Sequence, residues 1–379
     1  MPGATARWMH SRAARGILAS PTGTSQSASA MMDAPVQAAE LADRAGPAPS
    51  VDLDAWARTS ALWLGADTDA GADAMGRFMD LAAQFRARGD LGWVPELGAL
   101  AVRLADWWVA AASGSAIGAG RVLGISGGQG TGKSTLVAHL AGALTNLGQR
   151  VAVISLDDLY LSQAARRQLA AQVHPLLATR GVPGTHDLVS GGALLDALAR
   201  PGDDEVALPR FDKAADDPVP AANWPRVRAP CDSVLLEGWC LGIAPQEAAA
   251  LGAPCNALEA NEDAQGHWRK FVNTQLAGPY AAFFARCERL VALLPPDFTA
   301  VRRWRGWQEQ SLPADRRMDV PSLDRFVAHY ERLTRHGILV LPQRADVVVR
   351  LAVDHHIAAI GWRRLADTND PAGAQPADA

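Results

Sequence analysis

The sequence is poor in lysine, in basic runs and in long apolar stretches, and each scarcity excludes a class of protein. Lysine occurs only as Lys133, Lys213 and Lys270, and the net charge of the 379 residues is −4. A chain without basic clusters is a poor match for nucleic-acid phosphates, so we predict no nucleic-acid partner. No segment approaches the roughly 18 apolar residues that a membrane-spanning helix needs, so we predict no membrane partner either.

Cysteine is also scarce, and its four positions form no recognisable framework. Cys231, Cys240, Cys255 and Cys287 contain neither a Cys-x-x-Cys pair nor a zinc-type spacing. Reduced thiols of this kind are typical of a cytoplasmic protein, and we predict that compartment. Residues 1–32 lack acidic side chains and so resemble an organellar transit peptide. A disordered Ala-rich extension or an early start codon explains this composition more simply.

The order of apolar patterns along the chain predicts an α/β fold. The segments "AMGRFMDLAAQFRARG" and "PELGALAVRLADWWVAAA" carry apolar residues at helical spacing. Short β-rich runs follow, in the order "RVLGIS", "RVAVISLDD", "DSVLLEGW", "RLVALLP" and "ADVVVRLAV". Strands separated by helical stretches imply crossover connections, so we predict a three-layer fold with a mainly parallel sheet flanked by helices. Polar residues lie at the carboxyl ends of several runs, where such sheets bind ligands.

The strongest motif is "GISGGQGTGKST", which matches the P-loop pattern between a strand and a helical stretch. Its glycines let the main chain wrap closely and aim amide groups at phosphate oxygens. The amino end of the following helix adds partial positive charge. We therefore predict a nucleotide site made of Gly127, Gly128, Gln129, Gly130, Thr131, Gly132, Lys133, Ser134 and Thr135.

The same motif predicts ATP and Mg²⁺ as cofactors. Lys133 is placed to reach the terminal phosphates, and the hydroxyl of Ser134 can bind Mg²⁺. Glu237 ends the apolar run "SVLLEG", as the acid of a Walker-B strand does, and we predict that it is the second metal residue. The alternative for Glu237 is an ordinary surface acid at the end of a strand.

Two adjacent acids follow the second predicted strand. Asp157 or Asp158 could accept the proton of an attacking hydroxyl or position Mg²⁺ through water. Neighbouring residues on a strand point to opposite faces, so we expect only one of the two carboxylates to reach the phosphates. A helix cap or a solvated turn is the alternative.

A set of motifs in one order resembles a known family. The segments are "GGQGTGKST", "ISLDDLYL", "RGVPGTHD", "LPRFDKA", "NWP", "VLLEGWCLG" and "AVRRWRGWQEQ". Together they resemble the plant- and fungal-type D-glycerate 3-kinases and their bacterial relatives, close to the phosphoribulokinase, uridine kinase and pantothenate kinase group. The resemblance covers roughly residues 121–353 and implies a kinase of the P-loop fold that acts on a small-molecule acceptor.

The resemblance also implies roles for individual residues. Asp157 would be the base, and Lys133, Arg303 and Arg305 would neutralise the transferring phosphoryl group, the two arginines from a lid. The residues that the resemblance places around the acceptor are Asp158, Tyr160, Arg180, His186, Asp187, Arg210 and Lys213. Alternatives remain: His186 and Asp187 could cap a helix that begins near Ser190, and Arg303 and Arg305 could be solvated surface charges.

This chain departs from the family pattern at two places. Phe211, Asp212 and Ala214 stand where the family usually has "PRYNKS", and Gly306 and Trp307 stand where its lid reads "RWRLQAE". These departures bear on the identity of the acceptor rather than on the fold.

The predicted organisation and function follow. Residues 1–51 form a disordered or targeting-like extension, 52–118 a helical N-terminal region, 119–366 the P-loop kinase domain and 367–379 a disordered tail. We predict ATP-dependent phosphorylation of a D-glycerate hydroxyl to give 3-phosphoglycerate. The alternatives are a kinase for another small acceptor, such as a nucleoside or a pantothenate-like alcohol, and a P-loop ATPase or switch that hydrolyses nucleotide.

Overall fold

A six-stranded sheet forms the centre of this computed structural model, which describes residues 69–87, 94–111, 120–310, 313 and 317–363. Its strands, in chain order, are β1 (Arg121–Gly127), β2 (Val151–Ser155), β7 (Ser233–Gly238), β8 (Arg289–Leu294), β9 (Val347–Leu351) and β10 (Ile357–Trp362). Their spatial order is β10-β9-β8-β1-β7-β2. Every neighbouring pair is parallel except β9 and β10, which form an antiparallel hairpin.

Helices cover the sheet and connect its strands. In chain order they are α1 (Asp69–Ala87), α2 (Pro95–Ala110), α3 (Lys133–Asn146), α4 (Gln163–Gln172), α5 (Leu188–Ala199), α6 (Ala257–Glu262), α7 (His267–Gln275), α8 (Ala281–Phe284), α9 (Phe298–Gln310) and α10 (Val320–Arg344). Two small antiparallel pairs lie between α5 and β7: β3 (Glu205–Ala207) with β6 (Arg226–Arg228), and β4 (Phe211–Asp212) with β5 (Asp217–Pro218). None of the described helices has the length and apolar character needed to cross a membrane.

Alternation along the strands places a separate core on each face of the sheet. In β1, Leu123 and Ile125 belong to one apolar cluster, while Val122 belongs to the other. This period of two is what a strand buried on both faces requires. The fold class predicted from the sequence is confirmed, and each of its five predicted strands is present as β1, β2, β7, β8 or β9.

The helices before the P-loop share the first of these cores. Leu100 and Leu104 of α2 are fully buried in the same cluster as Leu136 and Leu140 of α3. Trp108, also fully buried, donates its indole N–H to the hydroxyl of Ser233 at 2.8 Å. Removing α1 and α2 would therefore expose apolar surface of the P-loop helix to water.

The predicted domain boundaries at residues 51, 118 and 366 all lie outside the described residues, so that division stays a prediction. The transit-like residues 1–32 and the predicted tail also lie outside them. The sequence did not predict β10 or the two small antiparallel pairs.

Candidate active site

The P-loop connects β1 to α3 through a tightly wound main chain. Gly130 and Gly132 have φ angles of 78° and 81°, which favour glycine over other residues. A Cβ atom at Gly130 would lie 2.7 Å from the Cβ of Trp304, so the loop also needs a small residue to pack against α9. The hydroxyl of Thr131 donates to the carbonyl of Gly128 at 2.8 Å and fixes the turn. The loop is thus a preformed cradle of main-chain amides.

A group of three oxygen-bearing side chains lies beside the loop: Ser134, Ser155 and Glu237. One carboxylate oxygen of Glu237, Oε1, accepts hydrogen bonds from Ser134 at 3.2 Å and from Ser155 at 2.8 Å. The second oxygen, Oε2, is buried without a hydrogen-bond partner and lies 4.0 Å from Nζ of Lys133. A buried carboxylate oxygen without a donor fits a site for a cation. Ser155 was not predicted from the sequence.

The chemistry of this set suits Mg²⁺ better than a transition metal. Among the residues that the structure describes, no group of three or more His, Cys, Asp or Glu side chains is arranged to hold a metal. Mg²⁺ usually needs only one or two protein oxygens, because waters and nucleotide phosphates complete its shell. Ser134 and Glu237 are therefore the residues that would hold it.

Asp157 lies in a 3₁₀ turn directly after β2 and is held from two sides. Lys213 contacts its Oδ2 at 2.8 Å, and the hydroxyl of Tyr160 donates to its Oδ1 at 2.7 Å. Burial alone would raise the pKa of Asp157, but the charges of Lys213 and Lys133 and these hydrogen bonds hold the pKa well below its usual range. Asp157 is therefore fully ionised and aimed by its partners.

Asp158, its neighbour, points into the protein. It accepts a hydrogen bond from the main-chain N–H of Phe211 at 3.1 Å and lies 3.5 Å from Arg210. Burial raises the pKa of Asp158 to about 6, although Arg210 and the Phe211 amide oppose this. Asp158 and Arg210, both predicted around the acceptor, thus join the turn after β2 to the strand β4.

The segment "RGVPGTHD" brings His186 against Tyr160. The two rings stack with their centroids 4.6 Å apart, and Nδ1 of His186 lies 2.5 Å from the hydroxyl of Tyr280. Nε2 of His186 is buried without a partner. Burial lowers the pKa of His186 to about 3, so the imidazole is neutral at any physiological pH.

Asp187 has a structural task instead. It is the N-cap of α5: one carboxylate oxygen accepts from the amide of Ser190 at 2.9 Å and the other from its hydroxyl at 2.6 Å. This is the capping alternative that the sequence left open for Asp187. We therefore leave Asp187 out of the acceptor site that we propose below.

Arg180 does not stand alone. Its guanidinium is paired with Asp216, and Asp216 also accepts from the fully buried Arg166 at 2.6 Å. Asp216 has a φ of 55°, unusual for a residue other than glycine, so the turn places its carboxylate between the two arginines. Two guanidinium groups share one carboxylate, which leaves a net positive charge on this group of three side chains. Neither Arg166 nor Asp216 was predicted from the sequence.

The departures at positions 211 and 212 have structural explanations. Phe211 is buried, packs edge-on against Tyr160 and lies beneath the guanidinium of Arg180. Asp212 is exposed, and its carboxylate accepts from the amides of Ala214 at 2.8 Å and Ala215 at 3.0 Å. Phe211 therefore supports the site from below, while Asp212 closes its own turn.

Helix α9 separates the two arginines that were predicted as one lid pair. Arg305 forms an ion pair with Glu309 at 2.7 Å and packs over Phe326. Arg303 is exposed and borders an open cleft with Trp307, Ala352, Val353 and Asp354. The two side chains thus face different surroundings although only one residue separates them.

Tyrosine and lysine, which are rare in this chain, are concentrated at this site, and their positions could have been read from the sequence. The chain has three tyrosines, and their hydroxyls contact Asp157 (from Tyr160), His186 (from Tyr280) and the carbonyl of Arg180 (from Tyr330, at 3.1 Å). Two of the three lysines, Lys133 and Lys213, also lie here. In a chain that rarely uses these residues, their positions could have been used to find the acceptor side.

Together, these features are those of a P-loop phosphotransferase: a phosphate cradle, oxygen atoms that could bind a cation, and an ionised carboxylate held by a lysine and a tyrosine. Comparison with known proteins agrees. A family model for the methylmalonyl Co-A mutase-associated GTPase MeaB matches residues 109–162, which contain the P-loop and Asp157. This match covers a small part of the chain.

Longer matches identify the family. The uncharacterized kinase mug58 of Schizosaccharomyces pombe is 34% identical over 219 residues, which are 55% of this chain and 78% of that protein. The chloroplastic D-glycerate 3-kinase of Arabidopsis thaliana is 31% identical over 219 residues, and this chain spans 46% of its length. The chain belongs to this family of P-loop kinases and is a nucleotide-dependent phosphotransferase, as the resemblance predicted.

Solved structures support the fold. A D-glycerate 3-kinase from Cryptococcus neoformans superposes with a TM-score of 0.56 at 22% identity and covers 70% of this chain and 99% of its own. The YGR205w protein gives a TM-score of 0.57 at 22% identity, over 71% of this chain and 99% of its own. At such identity the likeness shows the fold alone.

Proposed function

We propose that this kinase transfers the γ-phosphate of ATP to a hydroxyl of D-glycerate and so forms 3-phosphoglycerate. The observation that supports this most strongly is Asp157, an ionised carboxylate held by Lys213 and Tyr160 and close enough to Lys133 to respond to its charge. An acceptor hydroxyl bound against Asp157 would face the terminal phosphate that Lys133 holds. The hydroxyl oxygen then bonds to the γ-phosphorus, ADP leaves and the proton passes to Asp157.

The lowered pKa of Asp157 determines when the proton moves. A carboxylate with so low a pKa is a weak base towards an alcohol. The hydroxyl becomes acidic only as its oxygen bonds to phosphorus, so transfer to Asp157 comes late. Most of the rate enhancement then comes from positioning and from cations around the phosphoryl group. Mg²⁺ held by Ser134 and Glu237 would supply further charge neutralisation.

A hydroxy acid also needs a binding site for its carboxylate. Arg166 and Arg180 outnumber Asp216, so Arg180, about one quarter exposed, can offer positive charge to an acceptor without losing its own support. D-glycerate carries one carboxylate and two hydroxyls, and we propose that it binds with its carboxylate towards Arg180 and one hydroxyl towards Asp157. Lys213 and Arg210 add positive charge to the same cleft.

The tautomeric state of His186 determines which of its ring nitrogens can donate a hydrogen bond to an acceptor molecule. The hydroxyl of Tyr280 accepts the N–H of Gly184 at 2.9 Å, and we propose that it donates its own proton to Nδ1 of His186. A neutral imidazole that accepts at Nδ1 carries its proton on Nε2. This N–H has no protein partner, and we propose that it donates to an acceptor oxygen.

The base of ATP is proposed to bind in the cleft bordered by Arg303, Trp307 and residues 352–354, here called the base cleft. Trp307 is 48% exposed, an unusual exposure for so large an aromatic ring. Such a ring and a guanidinium both stack on the face of a purine. The cleft adjoins the P-loop, because Gly130 packs against Trp304 one helical turn from Trp307.

The acceptor is tested by following ATP consumption with D-glycerate, L-glycerate, nucleosides and pantothenate-like alcohols, and by identifying the product by NMR. We expect 3-phosphoglycerate from D-glycerate at one equivalent per ADP. Product from a nucleoside alone would replace glycerate and keep the kinase. ADP formation without any phosphorylated acceptor would favour hydrolysis, the second candidate, which the match to a GTPase model supports. We propose the cytoplasm as the compartment and a small molecule as the phosphoryl acceptor.

A further inference from the structure

The turn that borders the base cleft is held from outside by the N-terminal helix α2. Residues 352–356 connect β9 to β10, and the amide of Ala352 donates to the carbonyl of His356 at 2.8 Å. Glu96, in the first turn of α2, reaches this turn across 260 residues of sequence. Its Oε1 lies 2.8 Å from Nδ1 of His356, and its Oε2 accepts from the amide of Ile357 at 3.1 Å.

The inner side of the same turn contacts helix α9. The indole N–H of Trp304 donates to the carbonyl of Val353 at 3.0 Å, and the ring of His355 meets Trp304 edge-on at 4.0 Å. His355 has a φ of 74°, in the left-handed region that is uncommon for residues other than glycine. The turn is therefore clamped between α9 on one side and Glu96 on the other.

Helix α2 contacts the phosphate half of the nucleotide site as well. A Cβ atom at Gly132 of the P-loop would lie 3.4 Å from Cδ1 of Leu97, the residue after Glu96. The amide of Val94, just before α2, donates to Nε2 of His139 in α3 at 3.1 Å. One helical turn of the N-terminal region thus contacts the P-loop, the P-loop helix and the turn of the base cleft.

We infer that Glu96 is a positioning residue for nucleotide binding, and that α2 is part of the nucleotide site rather than a separate extension. Glu96 holds the turn at residues 352–356 so that the base cleft keeps its shape against Trp307. The inference rests on the base cleft proposed above. It predicts that a substitution of Glu96 weakens the binding of the base of ATP and leaves the binding of its phosphates unchanged.

The experiment measures binding of ATP and of inorganic tripolyphosphate, each with Mg²⁺, to the full chain by calorimetry. Glu96→Ala should weaken ATP binding about 10-fold, since it removes two hydrogen bonds to a partly exposed carboxylate. Tripolyphosphate binding should change less than about 2-fold, because the P-loop amides and Lys133 remain. Glu96→Gln keeps an acceptor for the Ile357 amide and should lose less than Glu96→Ala.

Asp106→Asn is the matched control, because Asp106 lies on the same helix and forms an ion pair with Arg77 at 2.6 Å, away from the turn. It should leave both affinities unchanged. Wild-type ATP affinity in Glu96→Ala would overturn the inference, as would an equal loss for ATP and tripolyphosphate. If the wild-type protein binds tripolyphosphate as tightly as ATP, the base cleft itself is wrong, which is a distinguishable result. Unchanged tripolyphosphate binding also shows that the variant is folded.

Discussion

The two halves of the active site are built in different ways. The phosphate-binding part of the nucleotide half comes from one continuous segment, residues 127–134, and its shape depends on the main-chain conformation of glycines such as Gly130 and Gly132. The acceptor half is assembled from side chains that lie far apart in sequence and hold one another by charge, as Lys213 holds Asp157 and Asp216 holds Arg180.

This difference separates phosphate binding, which is common to P-loop proteins, from the choice of acceptor, which depends on this chain's own side chains. A cradle of main-chain amides binds phosphates whatever the side chains around it are. A network of paired side chains can change its preferred acceptor when one pair changes. Substitutions in the phosphate-binding loop should therefore abolish turnover with every acceptor, whereas substitutions in the acceptor half should separate catalysis from acceptor binding.

The largest effect is expected from Lys133→Ala in the nucleotide half. Lys133 is the P-loop cation, and it contacts Glu237 rather than the apolar core. Loss of a cation on the transferring phosphoryl group should lower kcat by about 10³- to 10⁵-fold. The measurement is ADP release with a saturating acceptor, and circular dichroism checks the fold. Normal turnover by a folded variant would refute the nucleotide site.

Asp157→Asn should come next and should act on chemistry rather than on binding. It removes the proton acceptor but keeps a side chain of the same shape, so kcat should fall about 10²- to 10⁴-fold with a small change in the KM for the acceptor. Asp158→Asn is the matched control, since Asp158 points into the protein and contacts the Phe211 amide. Equal losses in the two variants would mean that Asp157 is not the base.

Arg180→Ala tests the other function of the acceptor half. It removes the exposed member of the pair that shares Asp216, while Arg166 still neutralises that carboxylate. We expect the KM for an acidic acceptor to rise by about 2 to 3 kcal/mol, or roughly 30- to 150-fold, with kcat changed far less. Steady-state kinetics at saturating ATP measure this. The KM for a neutral acceptor should change little. A fall in kcat without a rise in the KM for an acidic acceptor would contradict the proposed role of Arg180.

The phosphate-binding part of the nucleotide half could be predicted from the sequence because its information is local. The P-loop, the strand before it and the helix after it are adjacent, so the motif and its structural context confirm one another. The five strands with near-continuous apolar runs were found for the same reason. The edge strand β10, which has a single buried residue and no regular alternation, gave no such pattern.

The acceptor half was predicted only in part, because ion pairs between residues far apart in the sequence leave no local sequence pattern. Asp216 lies 36 residues from Arg180 and 50 from Arg166, and its positive φ appears only once the turn is seen. The same holds for the base cleft of the nucleotide half, where Glu96 contacts a turn 260 residues away. The family motifs marked His186 and Arg180, yet they could not tell that Asp187 caps α5 or that Tyr280 fixes the imidazole of His186.

The smallest expected effect is on the stability of the fold, and it tests Asp158, the acid of the acceptor half that points into the protein. Burial raises the pKa of Asp158 to about 6, above its ordinary value of 3.8. The folded protein therefore binds this proton more tightly than the unfolded chain does. Its contribution to stability is fully present below about pH 4 and is lost as pH rises through about 6. Asp158→Asn fixes the side chain in a neutral form, so the variant should become more stable relative to the wild type over this range.

The difference between the two pKa values corresponds to about 3 kcal/mol at most. We expect about 2 kcal/mol of this change between pH 4 and pH 7.5, because the carboxyl of the unfolded chain is already partly ionised at pH 4. Urea unfolding of both proteins at pH 4 and pH 7.5 gives the free energies, and the difference between variant and wild type cancels the titration of all other groups. A difference that stays constant with pH would show that Asp158 titrates normally. A variant that loses stability as pH rises would show that the charge on Asp158 holds Arg210 and β4 in place, and the acceptor half would then depend on this ion pair as well.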